Sequence, residues 1–264
     1  MPAHLIGNRI RELRDRKGWS QQQLAETIPL SQRQLSRIEN NQVHAIDRQT
    51  LIRIAESLQK PIATGELNQW LYMLGYRPHI RPLLPLPDEY QELVRYFMPY
   101  PATLTDIGWY ARWWNRSMEQ FYNVPNGSFK GIQANLFVQY FSPSGVMRQS
   151  YPNSHSGRVL SRLFWEWIAF EGEQWLQQLK LLIEEELGVT LEVLREQYGV
   201  TRIPPSPNLI FPISLRRPNQ RPMRFRMVQI PIAHRPDLKI TVYEPIGQRA
   251  IEWCRQVSDG VKAE

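Results

Sequence analysis

Gln32, Arg33, Ser36 and Arg37 concentrate hydrogen-bond donors in one short segment. A guanidinium is a planar fork that meets two acceptors at once, the edge of guanine among them, and a glutamine amide can pair with adenine in the same two-point way. Each good pair of this kind discriminates against a wrong base by ~1 to 3 kcal/mol. Leu35 and Ile38 interleave with these side chains, so on a helix the polar set lies opposite or beside an apolar stripe. Arg33 and Gln32 are the leading candidates for that readout chemistry.

Other chemistry-bearing combinations are weaker. Asp237-Leu238-Lys239 is half of a metal-nuclease signature, but one acid is not a metal site, and Arg235-Pro236-Asp237 between two strand candidates reads as a hairpin turn. The histidines, His155 and His234 among them, lack the paired or helical spacing of a zinc site. Glu184, Glu185 and Glu186 are consecutive, so they fan around a helix instead of converging. No P-loop, dinucleotide-binding glycine fingerprint or nucleophile elbow is present. No catalytic residue, metal or cofactor is expected, and a DNA-modifying enzyme is the remote alternative.

The elements that must position the polar set are legible from their caps. Ser20 precedes Gln23 by three residues and Ser31 precedes Gln34 by three, so two helix starts carry the reciprocal capping pattern back to back. Leu24, Ala25 and Ile28 recur at helical spacing in the first helix, Leu35 and Ile38 in the second. Short helices with one apolar stripe need neighbours. Ile6, Ile10 and Leu13 mark a preceding helix that stops near Gly18; Leu51, Ile54, Ala55 and Leu58 mark a following one. Leu67, Trp70, Leu71 and Leu74 mark a fifth, ending at Gly75.

With these elements in place, the run IGNRIRELRDRKGWSQQQLAETIPLSQRQLSRIEN, followed by L-x-R-I-A-x-x-L, resembles the helix-turn-helix domain of the Xre and phage Cro/repressor family over residues 5–61. The resemblance implies that the second helix of the motif enters the major groove of operator DNA. It makes Gln32, Arg33, Ser36 and Arg37 base-reading residues, and Gln21 and Asn40 backbone contacts. It also implies a partly buried ion pair between Arg14 and Glu39. Pro29 stands where the family usually has a glycine of positive φ, so the turn must close differently here. A symmetric homodimer would read half-sites about 34 Å apart.

The whole chain has 264 residues, more than one average domain. Its formal charge is +7 with a pI of 9.6, which suits a polyanionic partner. A single cysteine, Cys254, allows no internal disulfide and fits a reducing cytoplasm. No apolar run is long enough for a membrane span, and the N-terminus lacks a signal-peptide core. Prolines crowd residues 77–87, which reads as a linker between a DNA-binding domain at 1–76 and a second domain at 88–264.

The second domain opens with a helix from Asp88. Strand candidates follow at 102–107 and through Trp113, with a helix from Asn115 to Phe121. Helical patterns cover 156–187 and 191–198, and further strand candidates lie at 208–216, 223–232 and 239–243. Two strands, then helices, then three strands is a PAS-like order, giving an α+β chain overall. The phrase P-A-x-L-x-D-x-x-W-x-x-x-W-W-N, with the later F-R-M-V-x-I-P and I-T-V-Y-E-P, is similar to the ligand-binding domain of MmyB-like regulators over residues 90–253.

That similarity implies a sensor for a small hydrophobic, acyl-chain-like ligand. A protein-interaction module without ligand is the alternative. Trp109, Trp113, Trp114, Phe121, Phe137, Phe141, Phe164, Trp165, Trp167 and Phe170 could line a pocket, with Trp113, Asn115, Phe137 and Phe164 the favoured set. The basic run Arg216, Arg217, Arg221, Arg224 and Arg226 reads as a solvated hairpin that could also receive a carboxylate or touch phosphate.

Overall fold

The computed structural model describes residues 2–43, 45–58, 64–77, 79, 86–151, 155–200, 210–216, 221–232 and 235–262. The chain divides into two compact units, residues 1–80 with 233–236 and residues 81–232 with 237–264. Most of the proline-rich 77–87 stretch, and His234, lie outside the described residues.

The N-terminal unit contains α1 (Pro2–Arg16), α2 (Gln21–Glu26), α3 (Gln32–Glu39), α4 (Arg48–Ser57) and α5 (Thr64–Met73). Ser20 and Ser31 close complete capping boxes on α2 and α3, and Asp47 caps α4 by accepting from the Thr50 amide at 2.9 Å. The helices end where the backbone turns left-handed: Gly18 (φ 70°) after α1, Asn41 (φ 60°) after α3 and Gly75 (φ 75°) after α5. Each stop carries its closing bond, for example Trp19 N–H to Arg14 O at 3.1 Å and Gln42 N–H to Arg37 O at 2.8 Å.

Ile6, Ile10 and Leu13 from α1 meet Leu24, Leu35, Ile38, Leu51, Ile54, Leu58 and Leu71 in one buried cluster. These are the stripes legible in the sequence. Each fully buried aliphatic side chain stabilises the unit by ~1.5 to 3 kcal/mol. Between α2 and α3 the Leu30 amide donates to the Ile28 carbonyl at 2.7 Å, closing a tight turn centred on Pro29. The common form of that turn needs a negative φ near the value a proline ring imposes, so no left-handed residue is required.

The C-terminal unit starts with α6 (Glu89–Arg95), β1 (Ala102–Asp106), β2 (Ala111–Trp114) and α7 (Arg116–Tyr122). Then come α8 (Leu136–Phe141), α9 (Val146–Ser150), α10 (Ser156–Trp167), α11 (Gln174–Leu187) and α12 (Leu191–Gln197). It ends with β3 (Ile210–Leu215), β4 (Met223–Ile232), β5 (Arg235–Pro245) and α13 (Gln248–Lys262). The strands make one sheet in the order β2-β1-β5-β4-β3, with β1 antiparallel to both β2 and β5.

Two sequence expectations need correction, and one element is added. The pattern at 156–187 is two helices, because a 3-10 turn at Ile168–Phe170 and Gly172 at φ 89° break it. Arg235 and Asp237 are not in a turn but in the first residues of β5. The terminal helix α13 went unread although Ala250, Trp253, Cys254 and Val257 repeat at helical spacing and are all buried. Arg217 lies outside the described residues, while Arg221 and Arg224 are exposed and Arg226 pairs with Glu244 at 3.1 Å.

Strand alternation gives the sheet two different faces. Ala102 and Leu104 of β1, with Leu238, Ile240 and Val242 of β5, pack with Tyr90 and Val94 of α6. Thr103, Thr105, Lys239, Thr241 and Tyr243 are therefore on the opposite face, in register as Thr103↔Thr241 and Thr105↔Lys239.

Candidate functional site

The rotation of α3 decides which side chains it can offer. Leu35 and Glu39 are fully buried and Ile38 nearly so. Gln32, Arg33 and Arg37 are consequently exposed and Ser36 is half-buried. Among the described residues, no hydrogen bond or ion pair holds the Arg33 or Arg37 guanidinium, so both forks are open to a partner. Ser36 Oγ accepts from Asn40 Nδ2 at 3.2 Å, and Asn40 Oδ1 accepts from Arg11. Arg11 also donates to the Glu39 carbonyl at 2.8 Å, satisfying one of the orphan carbonyls at the end of α3.

Glu39 ties three helices together. Arg14 of α1 donates to it through Nε at 2.7 Å and Nη2 at 2.9 Å, and Gln21 of α2 donates at 2.8 Å. The ion pair implied by the family resemblance is thus formed, and the carboxylate holds Arg14 above its ordinary pKa. Gln21 has two amide hydrogens and uses one here, which leaves the second unengaged by Glu39. Neither Arg11 nor the Gln21 bond was foreseen; both join residues too far apart in sequence for any local pattern to show them. At the same end of α3, Gly7 of α1 meets the chain so closely that a Cβ there would lie 2.2 Å from the Ile38 carbonyl oxygen.

The C-terminal unit contains a cavity of about 560 Å³ over the sheet face opposite α6. Thr103 and Thr105 of β1, Met227 and Gln229 of β4, and Lys239, Thr241 and Tyr243 of β5 form its floor. Leu136, Tyr140, Met147 and Tyr151 close it on one side, and Val159, Arg162 and Trp165 of α10 on another. The volume lies within the ~300 to 1,000 Å³ usual for small-molecule sites.

One end is cationic. Glu166 accepts from Lys239 Nζ at 2.5 Å, Arg162 Nε at 2.9 Å and Trp109 Nε1 at 2.6 Å. Arg158 adds another positive charge to the lining, so cations exceed the single carboxylate of this group. Burial pulls the Lys239 ammonium below its usual range, against the attraction of Glu166. Burial alone would push the Glu166 carboxyl up, but Lys239 and Arg162 outweigh it and hold it below the ordinary range. Trp109 reaches this network from a left-handed backbone, φ 65°, which is strained for so bulky a residue.

The other end is phenolic. Tyr151 and Tyr243 share a hydrogen bond of 2.5 Å between their hydroxyls. Burial pushes Tyr140 and Tyr243 up to about 12, so both stay neutral at physiological pH.

None of the four favoured pocket residues lines this cavity. Trp113 sits opposite Leu104 in the β1–β2 register, which puts it on the α6 side of the sheet. Asn115 caps α7 and fastens the Tyr100 carbonyl at 2.8 Å and the Ala102 amide at 3.1 Å. Phe137 is fully buried with its ring centroid 4.4 Å from that of Phe141, and Phe164 lies under the Arg195 guanidinium at 4.9 Å. From the wider aromatic set, Trp109 and Trp165 do reach the cavity.

No group of His, Cys, Asp or Glu among the described residues could hold a metal ion, and no described helix is long and apolar enough to cross a membrane. A comparison with curated proteins returned no match. The protein-family model described as helix-turn-helix matches residues 10–64, the stretch that builds the capped pair α2 and α3 and its supporting helices. By that match the N-terminal unit is a helix-turn-helix domain, and the chain is a DNA-binding transcriptional regulator.

Proposed function

We propose that this regulator binds its operator as a homodimer and that its C-terminal unit is a PAS-like, MmyB-like sensor of a small, mostly apolar, acyl-chain-like ligand. The cavity of about 560 Å³ carries the reading, because a packed core has no use for a void of that size. The arrangement of two early and three late strands in one sheet, with helices between them, supports the PAS-like comparison. On DNA, Gln32, Arg33, Ser36 and Arg37 read base edges while Gln21 and Asn40 meet the backbone. Residues 1–76 form the DNA-binding domain, 77–87 the linker and 88–264 the sensor, working in the cytoplasm.

Mass spectrometry of the purified protein under native and then denaturing conditions tests the sensor reading. One small apolar molecule is expected to leave on denaturation, and its return is expected to change operator affinity measured by fluorescence anisotropy. A protein that neither retains nor takes up any apolar molecule would instead carry a protein-interaction module.

A further inference from the structure

The two ends of the cavity differ in chemistry, and β5 sets the distance between them. Lys239 and Tyr243 project from the same face of that strand four residues apart, about 13 Å along its axis. At the Lys239 end, Lys239 and Arg162 share one carboxylate, Glu166, while the nearby Asp106 is paired with Arg112 at 3.2 Å. At the Tyr243 end, Tyr140 is only 2 % exposed and Ser156 0 %. Their hydroxyls are neighbours, yet among the described residues neither is closed in a hydrogen bond of ordinary geometry. A buried hydroxyl without a partner costs ~1 to 3 kcal/mol, so the Tyr140 hydroxyl, which lines the cavity, is placed for a polar group that arrives from outside the chain. Thr103, Met227 and the aliphatic side chains between the two ends offer a mostly apolar passage.

We infer that the ligand is bipolar: an elongated apolar molecule with an anionic group at Lys239 and Arg162 and a hydroxyl or carbonyl oxygen at Tyr140. This rests on the sensor reading above and narrows it. The strand spacing of about 13 Å corresponds to roughly ten bonds of an extended chain. A plain acid of that length would satisfy the cationic end and leave the phenolic end unmatched. An acid that also carries a terminal oxygen would satisfy both.

Titration calorimetry of the full chain, with any retained molecule first stripped on hydrophobic resin, tests this with decanoate, 10-hydroxydecanoate and 1-decanol as probes. The hydroxy acid is expected to bind about 3- to 10-fold more tightly than decanoate, the yield of one net buried hydrogen bond. Tyr140→Phe is expected to erase that advantage without weakening decanoate, and Lys239→Met to weaken both acids while leaving 1-decanol unchanged. Equal affinities for the two acids, or an advantage that survives Tyr140→Phe, overturn the inference, since the Tyr140 hydroxyl would then be met by water. Failure of all three probes to bind is a separate result, which removes the sensor reading and the inference with it.

Discussion

Arg14 and Glu39, 25 residues apart, face each other in a buried two-point ion pair with Nε to Oε1 at 2.7 Å and Nη2 to Oε2 at 2.9 Å. The pair fixes the end of α3 to α1, so it sets the pose of the helix that carries Gln32, Arg33, Ser36 and Arg37. Arg14→Met would strip the buried Glu39 of its two-point partner, leaving Gln21 and a longer ion pair to Arg11 at 3.8 Å, and is expected to cost up to about 3 to 5 kcal/mol in urea unfolding. Adding Glu39→Leu to Arg14→Met should restore much of the loss. A single variant as stable as the wild type would show that the pair does not hold the unit.

Gly7 lies inside α1, where a glycine-to-alanine change ordinarily stabilises by ~0.5 to 1 kcal/mol. Here the added Cβ would lie 2.2 Å from the Ile38 carbonyl oxygen, which is backbone and cannot rotate away. Gly7→Ala should therefore destabilise, by about 1 to 3 kcal/mol on the overpacking scale. The sign of the change in thermal midpoint is the readout.

The turn around Pro29 uses the φ that proline already holds. Pro29→Gly should leave that geometry intact and lower stability by about 0.4 to 1 kcal/mol through the freer unfolded chain. Sequence preference, read from binding-site selection on a random pool, should not change. An altered consensus would mean that the turn sets the docking angle.

Arg33 projects freely from α3, whereas Gln21 is tied to Glu39 at 2.8 Å. Arg33→Ala should relax preference at one base position, with a penalty of about 1 to 3 kcal/mol confined to sites carrying the preferred base. Gln21→Ala should weaken all sequences alike and also reduce stability, because it removes a bond to a buried carboxylate. Equal losses across all sequences from both variants would sink this division of roles.

Glu166 gives the C-terminal unit an acid-sensitive contact. Burial disfavours its charge, yet Lys239 and Arg162 outweigh burial and hold its folded pKa below the ordinary 4.5. The unfolded chain then binds the proton more readily, so the stabilisation is complete above that value and is lost as pH falls through the folded pKa. Glu166→Gln should be less stable than wild type at pH 7, with the gap closing as both are titrated below about 4.5. A gap that stays constant down to pH 3 in urea unfolding would remove Glu166 as its source.

The helix-turn-helix was legible because its determinants are local. A serine three residues before a glutamine can close a capping box whatever surrounds it, and both boxes form. Leu35 and Ile38 at helical spacing already predict which side of α3 turns inward. The strand segments of the second unit were also readable from alternation and length. The terminal helix α13 is marked in the same local way, by Ala250, Trp253, Cys254 and Val257 at helical spacing.

The cavity was not legible, and its residues explain why. Glu166 meets Lys239 across 73 residues and Trp109 across 57, while Tyr151 meets Tyr243 across 92. Thr103 and Thr241 look like ordinary strand threonines until pairing puts them side by side on one face. An aromatic residue in sequence says only that it wants burial. Trp113 satisfied that on the α6 side of the sheet and Phe137 against Phe141, whereas Trp109 satisfied it at the cavity.

What the sequence by itself determined is therefore the set of units that short-range physics can close: capped helices, apolar stripes, alternating strands, and the polar set along α3. Tertiary structure alone decided that Glu39 joins three helices, that Gly7 must stay small, and that one sheet face carries a cavity cationic at one end and phenolic at the other. Those outcomes depend on which distant segments pair and in what register. A shift of one residue along β5 would turn Lys239 and Tyr243 to the opposite face and remove both ends of the cavity.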